Sequence, residues 1–226
     1  ASYNVSSCLE RCVKSIQAQT LENIQIIIVN DKSTDNTLEV AQKLCEDDPL
    51  GRTICISHLV NRGLAAVRNT GVEAASLSHI WHIDGDDYLP GQNVALQIMN
   101  AMQDQGLLAI KFPVFDETDD QPFSKKWYAK KCSHTFNCEV LNPVKVEAKF
   151  DHGGAFSVVY NKQFAHSLGI RNLEGVSIGE DQILLCQIFD KLPCIGLVNI
   201  PMYVYDKTGP SMMRKVWPLS KYLEDR

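Results

Sequence analysis

The sequence predicts an α/β fold, a mostly parallel sheet with helices on both faces, and three observations predict it. Short β-branched runs alternate with helical patterns of about a dozen residues. Two acidic clusters, Asn30-Asp31 and Asp84-Gly-Asp-Asp87, stand directly after such runs. Finally, 226 residues with 45% apolar and 22% charged composition suffice to bury one ordinary core. Right-handed crossovers between parallel strands would bring both clusters to the carboxyl rim of the sheet, where such folds bind ligands.

The elements follow in order. Ser6 or Ser7 can cap a first helix, because Cys8, Leu9, Cys12, Val13 and Ile16 keep helical spacing until Gln19-Thr20. Ile24 to Val29 is β-branched without alternation, as in a strand buried on both faces. Thr34 or Asp35 then caps a helix carrying Leu38, Ala41, Leu44 and Cys45; Thr53 to His58 reads as a strand, and Gly63 to Ala75 as a small-residue helix. His79 to Ile83 is a strand that runs into Asp84, Leu96 to Met102 a helix, and Leu107 to Phe115 a strand. Between Asp116 and Phe150, charges, aromatics and prolines occur without periodicity, which reads as a loop-rich substrate region and not a second domain. Order resumes with a strand over Ala155 to Tyr160, helices near Lys162 to Ser167 and over Glu180 to Phe189, and one or two strands between Cys194 and Tyr205.

A formal net charge of -5 argues against a partner made of nucleic-acid phosphates, so any bound anion must be caught locally. The longest apolar runs, Ile26 to Val29 and Leu107 to Ile110, fall far short of the ~20 residues that a membrane span needs. The eight cysteines contain no Cys-x-x-Cys. Most, including Cys8, Cys12, Cys55 and Cys186, read as small core residues of a reducing compartment.

Asp84-Gly85-Asp86-Asp87 places three carboxylates within four residues, and like charges this close repel unless a cation sits among them. Oxygen ligands suit Mg2+ or Mn2+, which share their shell with substrate phosphates. The plainer alternative is an acidic turn. In Asn30-Asp31-Lys-Ser-Thr-Asp35-Asn-Thr37 helix capping accounts for Asp35 but not for Asp31, which could accept a hydrogen bond from a nucleobase N–H. Arg68, one turn into its helix, can point back toward phosphates or base. Glu180-Asp181 opens a helix, where carboxylates are favourable in any case; alternatively one is a general base kept ionised by the helix dipole.

These blocks together resemble family 2 glycosyltransferases of the GT-A nucleotide-sugar-binding fold. The resemblance rests on Ala1-Ser-Tyr-Asn4 with the helix end Ser15 to Thr20, on Ile-Ile-Val-Asn30-Asp31 through Thr37, and on Asn61-x-Gly63-Leu-Ala-Ala-Val-Arg68-Asn69-x-Gly71. Asp84-Gly-Asp-Asp87 and Gly179-Glu-Asp181 complete it, over roughly residues 1 to 190. It implies a single GT-A domain with a nucleotide-sugar-binding half, 1–115, and an acceptor-binding and catalytic-base half, 116–226. Asp31 would contact the base, Tyr3 and Arg68 would line the nucleotide pocket with Ala1, Asn61 and Gly85, and Asp84 would reach the ribose or metal side. Asp86, with Asp84, would hold Mn2+ or Mg2+. Asp181, with Glu180 as second choice, would be the base of an inverting transfer. The donor would be a UDP-sugar and the acceptor a glycan, lipid-linked or polymer hydroxyl. Residence would be cytoplasmic and bacterial, with peripheral association at the inner face of the membrane.

Trp127 and Trp217 could stack on acceptor sugars and His152 could contact acceptor or phosphate, although core or loop positions are the commoner case. The chain also departs from the family. The family's first buried strand is not in this sequence, so the sheet is expected to lack a central member. An arginine expected after Tyr203-Val-Tyr205 is Asp206, so either Lys207 or Arg214 substitutes or that contact is absent. The Gln-x-x-Arg-Trp motif of processive synthases is missing, which favours transfer of one or a few sugars. A sugar-phosphate nucleotidyltransferase is disfavoured by the lack of a glycine-rich basic loop near the first residues. A catalytically impaired nucleotide- or glycan-binding module is disfavoured by retention of Asp84, Asp86 and Asp181.

Overall fold

The computed structural model describes residues 1–116, 138–141, 154–176 and 179–206. Its helices there are α1 (Leu9–Gln17), α2 (Thr37–Glu46), α3 (Leu64–Ala74), α4 (Val94–Asp104), α5 (Lys162–Ser167) and α6 (Glu180–Lys191). The first half contributes strands β1 (Ile26–Asn30), β2 (Thr53–Ser57) and β3 (His79–Trp81). Then come β4 (Ala109–Lys111), β5 (Val114–Asp116), β6 (Cys138–Leu141), β7 (Val158–Asn161), β8 (Ile195–Val198) and β9 (Tyr203–Tyr205).

The α/β class is as expected, and the pairing is mixed. β1–β2, β4–β8 and β5–β9 are parallel, while β7 runs antiparallel between β3 and β4, and β6 antiparallel to β8, in the order β3-β7-β4-β8-β6. Successive strand residues enter opposite cores, as the two-residue pleat requires. Ala109, Val158 and Tyr160 pack with Leu184, Leu185 and Ile188 of α6. Ile110 and Val159 instead pack with Ile98 and Met102 of α4. Helices therefore cover both faces of this sheet. A third cluster seats Leu9 and Val13 of α1 and Ala41 and Leu44 of α2 on Ile26 and Ile28 of β1.

Several boundaries differ from the sequence reading. α1 begins after Cys8 without a side-chain cap, since Ser6 instead turns its N–H to Asp35 Oδ2 at 3.2 Å. Asp35 does serve the start of α2, accepting from the Thr37 N–H at 3.0 Å, with Asn36 as the boundary residue. The single strand expected over 107–115 is split into β4 and β5 around Pro113, which lacks the N–H a ladder needs. Ala155–Ser157 forms a 3-10 turn ahead of β7, and β6 lies inside the region read as loop. The cysteines are a further correction: among the seven described only Cys12 is buried, and Cys186 is exposed. All seven are free.

A cavity of about 410 Å³ lies between β1 and β3, lined by Ile26, Ile28, Val67, Val72, Ile80 and Ile83. Among the described residues, neither strand has a partner strand on that side. Ala1 and Ser2 bridge its mouth: the Ala1 amine donates to Ile83 O at 2.9 Å, Ser2 N–H to Val29 O and Asp31 N–H to Ser2 O, both at 3.0 Å. No helix among the described residues is long and apolar enough to cross a membrane.

Candidate functional site

Through this bridge the end of β1, carrying Asp31, and the loop after β3, carrying Asp84, share one rim, as the topology predicted. Gly85 makes the approach feasible. Its N–H donates to Ala1 O at 2.8 Å, and a Cβ there would fall 2.8 Å from the same oxygen.

The three carboxylates of the loop diverge. Asp84 accepts from Arg68 Nη2 at 3.2 Å. Burial and the charge of Asp84 push Asp86 up to about 6. Asp87 is fully buried, accepting from the Tyr203 hydroxyl at 2.5 Å and the Asp206 N–H at 2.9 Å. Burial and repulsion by Asp84 and Asp86 push it up to about 8. It ties the loop to β9 and is thereby set apart from Asp84 and Asp86. Among the described residues no three His, Cys, Asp or Glu side chains are grouped to hold an ion alone. Two hard oxygen donors still fit Mg2+ or Mn2+, whose remaining positions go to phosphate and water.

Arg68, expected to point toward phosphates or base, has its guanidinium on carboxylates. The side chain, 2% exposed, pairs with Asp84, with Asp181, and with Glu180 at 3.5 Å. Burial opposes its charge, but those three acids outweigh it and hold the group protonated. One arginine on α3 thereby joins the Asp84 loop to the first turn of α6. That turn starts at Gly179, whose φ of 84° is left-handed, so Glu180 and Asp181 enter the rim from a glycine hinge point.

Burial raises Asp181 above its ordinary value, with Arg68 and the Ala155 N–H opposing it. Glu180 is raised by burial and by Asp181. A carboxylate held this way is more basic than one in water and still paired to a cation, which suits proton abstraction.

Asp31 is 2% exposed and densely held. Oδ1 accepts from the Arg62 N–H at 2.9 Å and Oδ2 from the Gly63 N–H at 2.7 Å, while His58 Nδ1 lies 2.7 Å from Oδ1. Asn61 donates to Asp31 O at 3.0 Å, and Tyr3 stands 46% exposed at the edge of the rim. His58 was missed by the sequence reading. Its signal was the parallel register, since Asn30 opposite Ser57 puts the residues that follow side by side.

Arg11 was missed as well. It pairs with Asp206, donates to Asp86 O at 3.1 Å and lies 4.5 Å over the Tyr88 ring. The acid that replaces an expected arginine is thus met by an arginine from α1. Trp127, His152, Lys207, Arg214 and Trp217 lie outside the described residues.

A family model described as glycosyl transferase family 2 matches residues 1–158. The chain belongs to that family. The uncharacterized glycosyltransferase EpsJ of Bacillus subtilis is 42% identical over 87 residues, which is 38% of this chain and 24% of that protein. Among solved structures, S. aureus TarS 1-349 in complex with UDP-GlcNAc superposes with a TM-score of 0.78 at 16% identity, covering 96% of this chain and 60% of that one. The mannosyltransferase PcManGT of Pyrobaculum calidifontis, in complex with GDP-Man and Mn2+, gives 0.65 at 16% identity over 93% and 56%. Such identities establish the fold, which is GT-A as predicted. The chain spans 24%, 58% and 31% of the lengths of three curated relatives it matches. The family 2 match covers Asp31, Arg68 and the Asp84 loop, whereas Glu180 and Asp181 lie beyond it and are joined to them by the Arg68 ion pairs.

Proposed function

We propose that this chain moves a sugar from a nucleotide diphosphate sugar, with UDP as the favoured carrier, to a hydroxyl of a glycan, lipid-linked or polymer acceptor, with inversion. Residues 1–115 form the donor half, and 116–226 the acceptor and base half. The observation that carries the reading is the convergence of Asp84, Glu180 and Asp181 on Arg68, next to Asp86, in a family 2 chain. It is supported by the UDP-GlcNAc and the GDP-Man with Mn2+ held by the two structural neighbours.

Asp31 would orient the base through a lone pair left over from its loop contacts, and Asp84 and Asp86 would hold Mn2+ or Mg2+. That ion, when bound, neutralises charge developing on the departing diphosphate. Asp181 accepts the proton of the acceptor hydroxyl as its oxygen bonds to the anomeric carbon. The bond from that carbon to the diphosphate oxygen breaks on the opposite face, so the configuration inverts. Arg68 keeps the base ionised before the proton arrives. Cytoplasmic placement at the inner face of a bacterial membrane would bring it to nucleotide sugars and lipid-linked acceptors.

Calorimetric titration of UDP and of GDP, with and without Mn2+, on the wild type and on Asp86→Ala tests this. UDP is expected to bind with metal and to lose that binding in the variant. Metal-independent binding, unchanged by Asp86→Ala, would remove the basis for the donor site.

A further inference from the structure

Lys111 has no part in the reaction just described, yet its setting is costly. The last residue of β4, it is 3% exposed and lies 5.8 Å over the Phe189 ring of α6. Its ammonium donates to Ser157 Oγ at 3.0 Å, and among the described residues no carboxylate is recorded against it. Burial alone pulls its pKa down to about 8. An apolar residue would fill this position without that penalty.

The hydroxyl it meets belongs to the turn against Asp181. Ser157 Oγ donates onward to Gly154 O at 2.8 Å, and the Ser157 N–H donates to the same oxygen at 3.0 Å. The turn is also pinned by Trp81 Nε1, which donates to Phe156 O at 2.8 Å. Its inner side presses on the base: the Ala155 N–H helps to hold down the Asp181 pKa, and a Cβ on Gly154 would come within 2.5 Å of Asp181 Oδ2. Asp181 and Phe189 lie eight residues apart on α6, close to one face of the helix. Lys111 therefore contacts both the turn and the helix between which the Asp181 carboxylate is held.

We infer that Lys111 is a positioning residue for Asp181: through Ser157 its ammonium fixes the 154–157 turn that packs against the base carboxylate. The inference rests on the reading of Asp181 as base, and its test separates the two. The charge orders a turn at the expense of stability, a trade that recurs where a site must be held in one geometry.

The experiment compares the wild type with Lys111→Met, Lys111→Arg, Ser157→Ala and Asp181→Asn. Amide hydrogen exchange, thermal unfolding and UDP release from UDP-GlcNAc in the presence of Mn2+ and acceptor are measured on each. For Lys111→Met and Ser157→Ala, Ala155 exchange is expected to quicken by about tenfold or more and kcat to fall by a similar factor, with donor KM within about twofold. The melting point of Lys111→Met should be no lower than that of the wild type. Lys111→Arg, which keeps the charge, should recover protection and kcat. Unchanged Ala155 exchange in both Lys111→Met and Ser157→Ala overturns the positioning role. If Asp181→Asn retains full kcat, the base assignment fails, and Ala155 exchange then decides whether Lys111 orders the turn.

Discussion

Replacing Lys111 by methionine turns a buried charge into a measurable stability gap. The folded chain lowers this lysine from 10.5 to about 8 by burial. At about 1.4 kcal/mol per pH unit, the difference between folded and unfolded chain amounts to about 3 kcal/mol. Methionine forfeits the ammonium's bond to Ser157, worth about 2 kcal/mol, so the variant should be more stable by about 1 kcal/mol at pH 7. The pH dependence has a fixed sign. Below pH 8 both states of the wild type hold the proton and the full penalty is present. As pH rises from about 8 toward 10.5 the folded state releases its proton first, so the wild type gains stability and the gap closes. Urea unfolding of both proteins at intervals from pH 7 to 10 reads this directly. A variant less stable than the wild type at pH 7, or a gap that stays constant to pH 10, refutes the reasoning.

Asp181→Asn should lower transfer by about 10²–10⁴-fold while UDP binding persists, as single-turnover rates beside calorimetry would show. Gly154→Ala forces a Cβ to within 2.5 Å of both Asp181 Oδ2 and the Phe156 ring. It should cost about 1–3 kcal/mol and cut transfer, read by unfolding and initial rates. His58→Ala strips a partner from the buried Asp31 and should cost about 2 kcal/mol, with weaker UDP binding. Asp35 is driven to about 2 because its hydrogen bonds to Thr37 and Ser6 outweigh burial. Asp35→Ala should cost about 1 kcal/mol at neutral pH. The difference should vanish as pH falls from about 4 through 2, where the wild-type carboxylate also protonates.

The rim was legible because its carriers announce themselves locally. Asp31 and Asp84 each follow a β-branched or aromatic strand, and strand ends in an α/β sheet meet at one edge whatever lies between them. The pairing of those residues was not legible. Arg68 and Asp181 are 113 residues apart, and no local pattern says that a guanidinium will face acids instead of phosphate. Asp87 looked equivalent to Asp86, and only Tyr203 and Asp206, brought in by β9, turn it inward. Lys111 was hidden for a related reason: a single lysine at a strand end is ordinarily a solvated residue, and its burial arises from α6 and the Ser157 turn closing over it.

The charge balance of the rim carries one more consequence. Among the described residues, Asp84, Glu180 and Asp181 meet the guanidinium of Arg68 with Asp86 in the same loop, while Arg11 is engaged by Asp206 and Arg62 by Glu174. A diphosphate brought here alone would add negative charge to an existing surplus, in a setting where burial weakens screening. Uridine carries no such penalty, because it would touch only the Asp31 end of the rim. Metal should therefore strengthen UDP binding strongly and uridine binding hardly at all. Parallel titrations of the two ligands with Mn2+ and with a chelator measure that contrast. Equal metal dependence for uridine and UDP would mean that the cation organises the base pocket and not the phosphates, and the role given to Asp84 and Asp86 would have to be withdrawn.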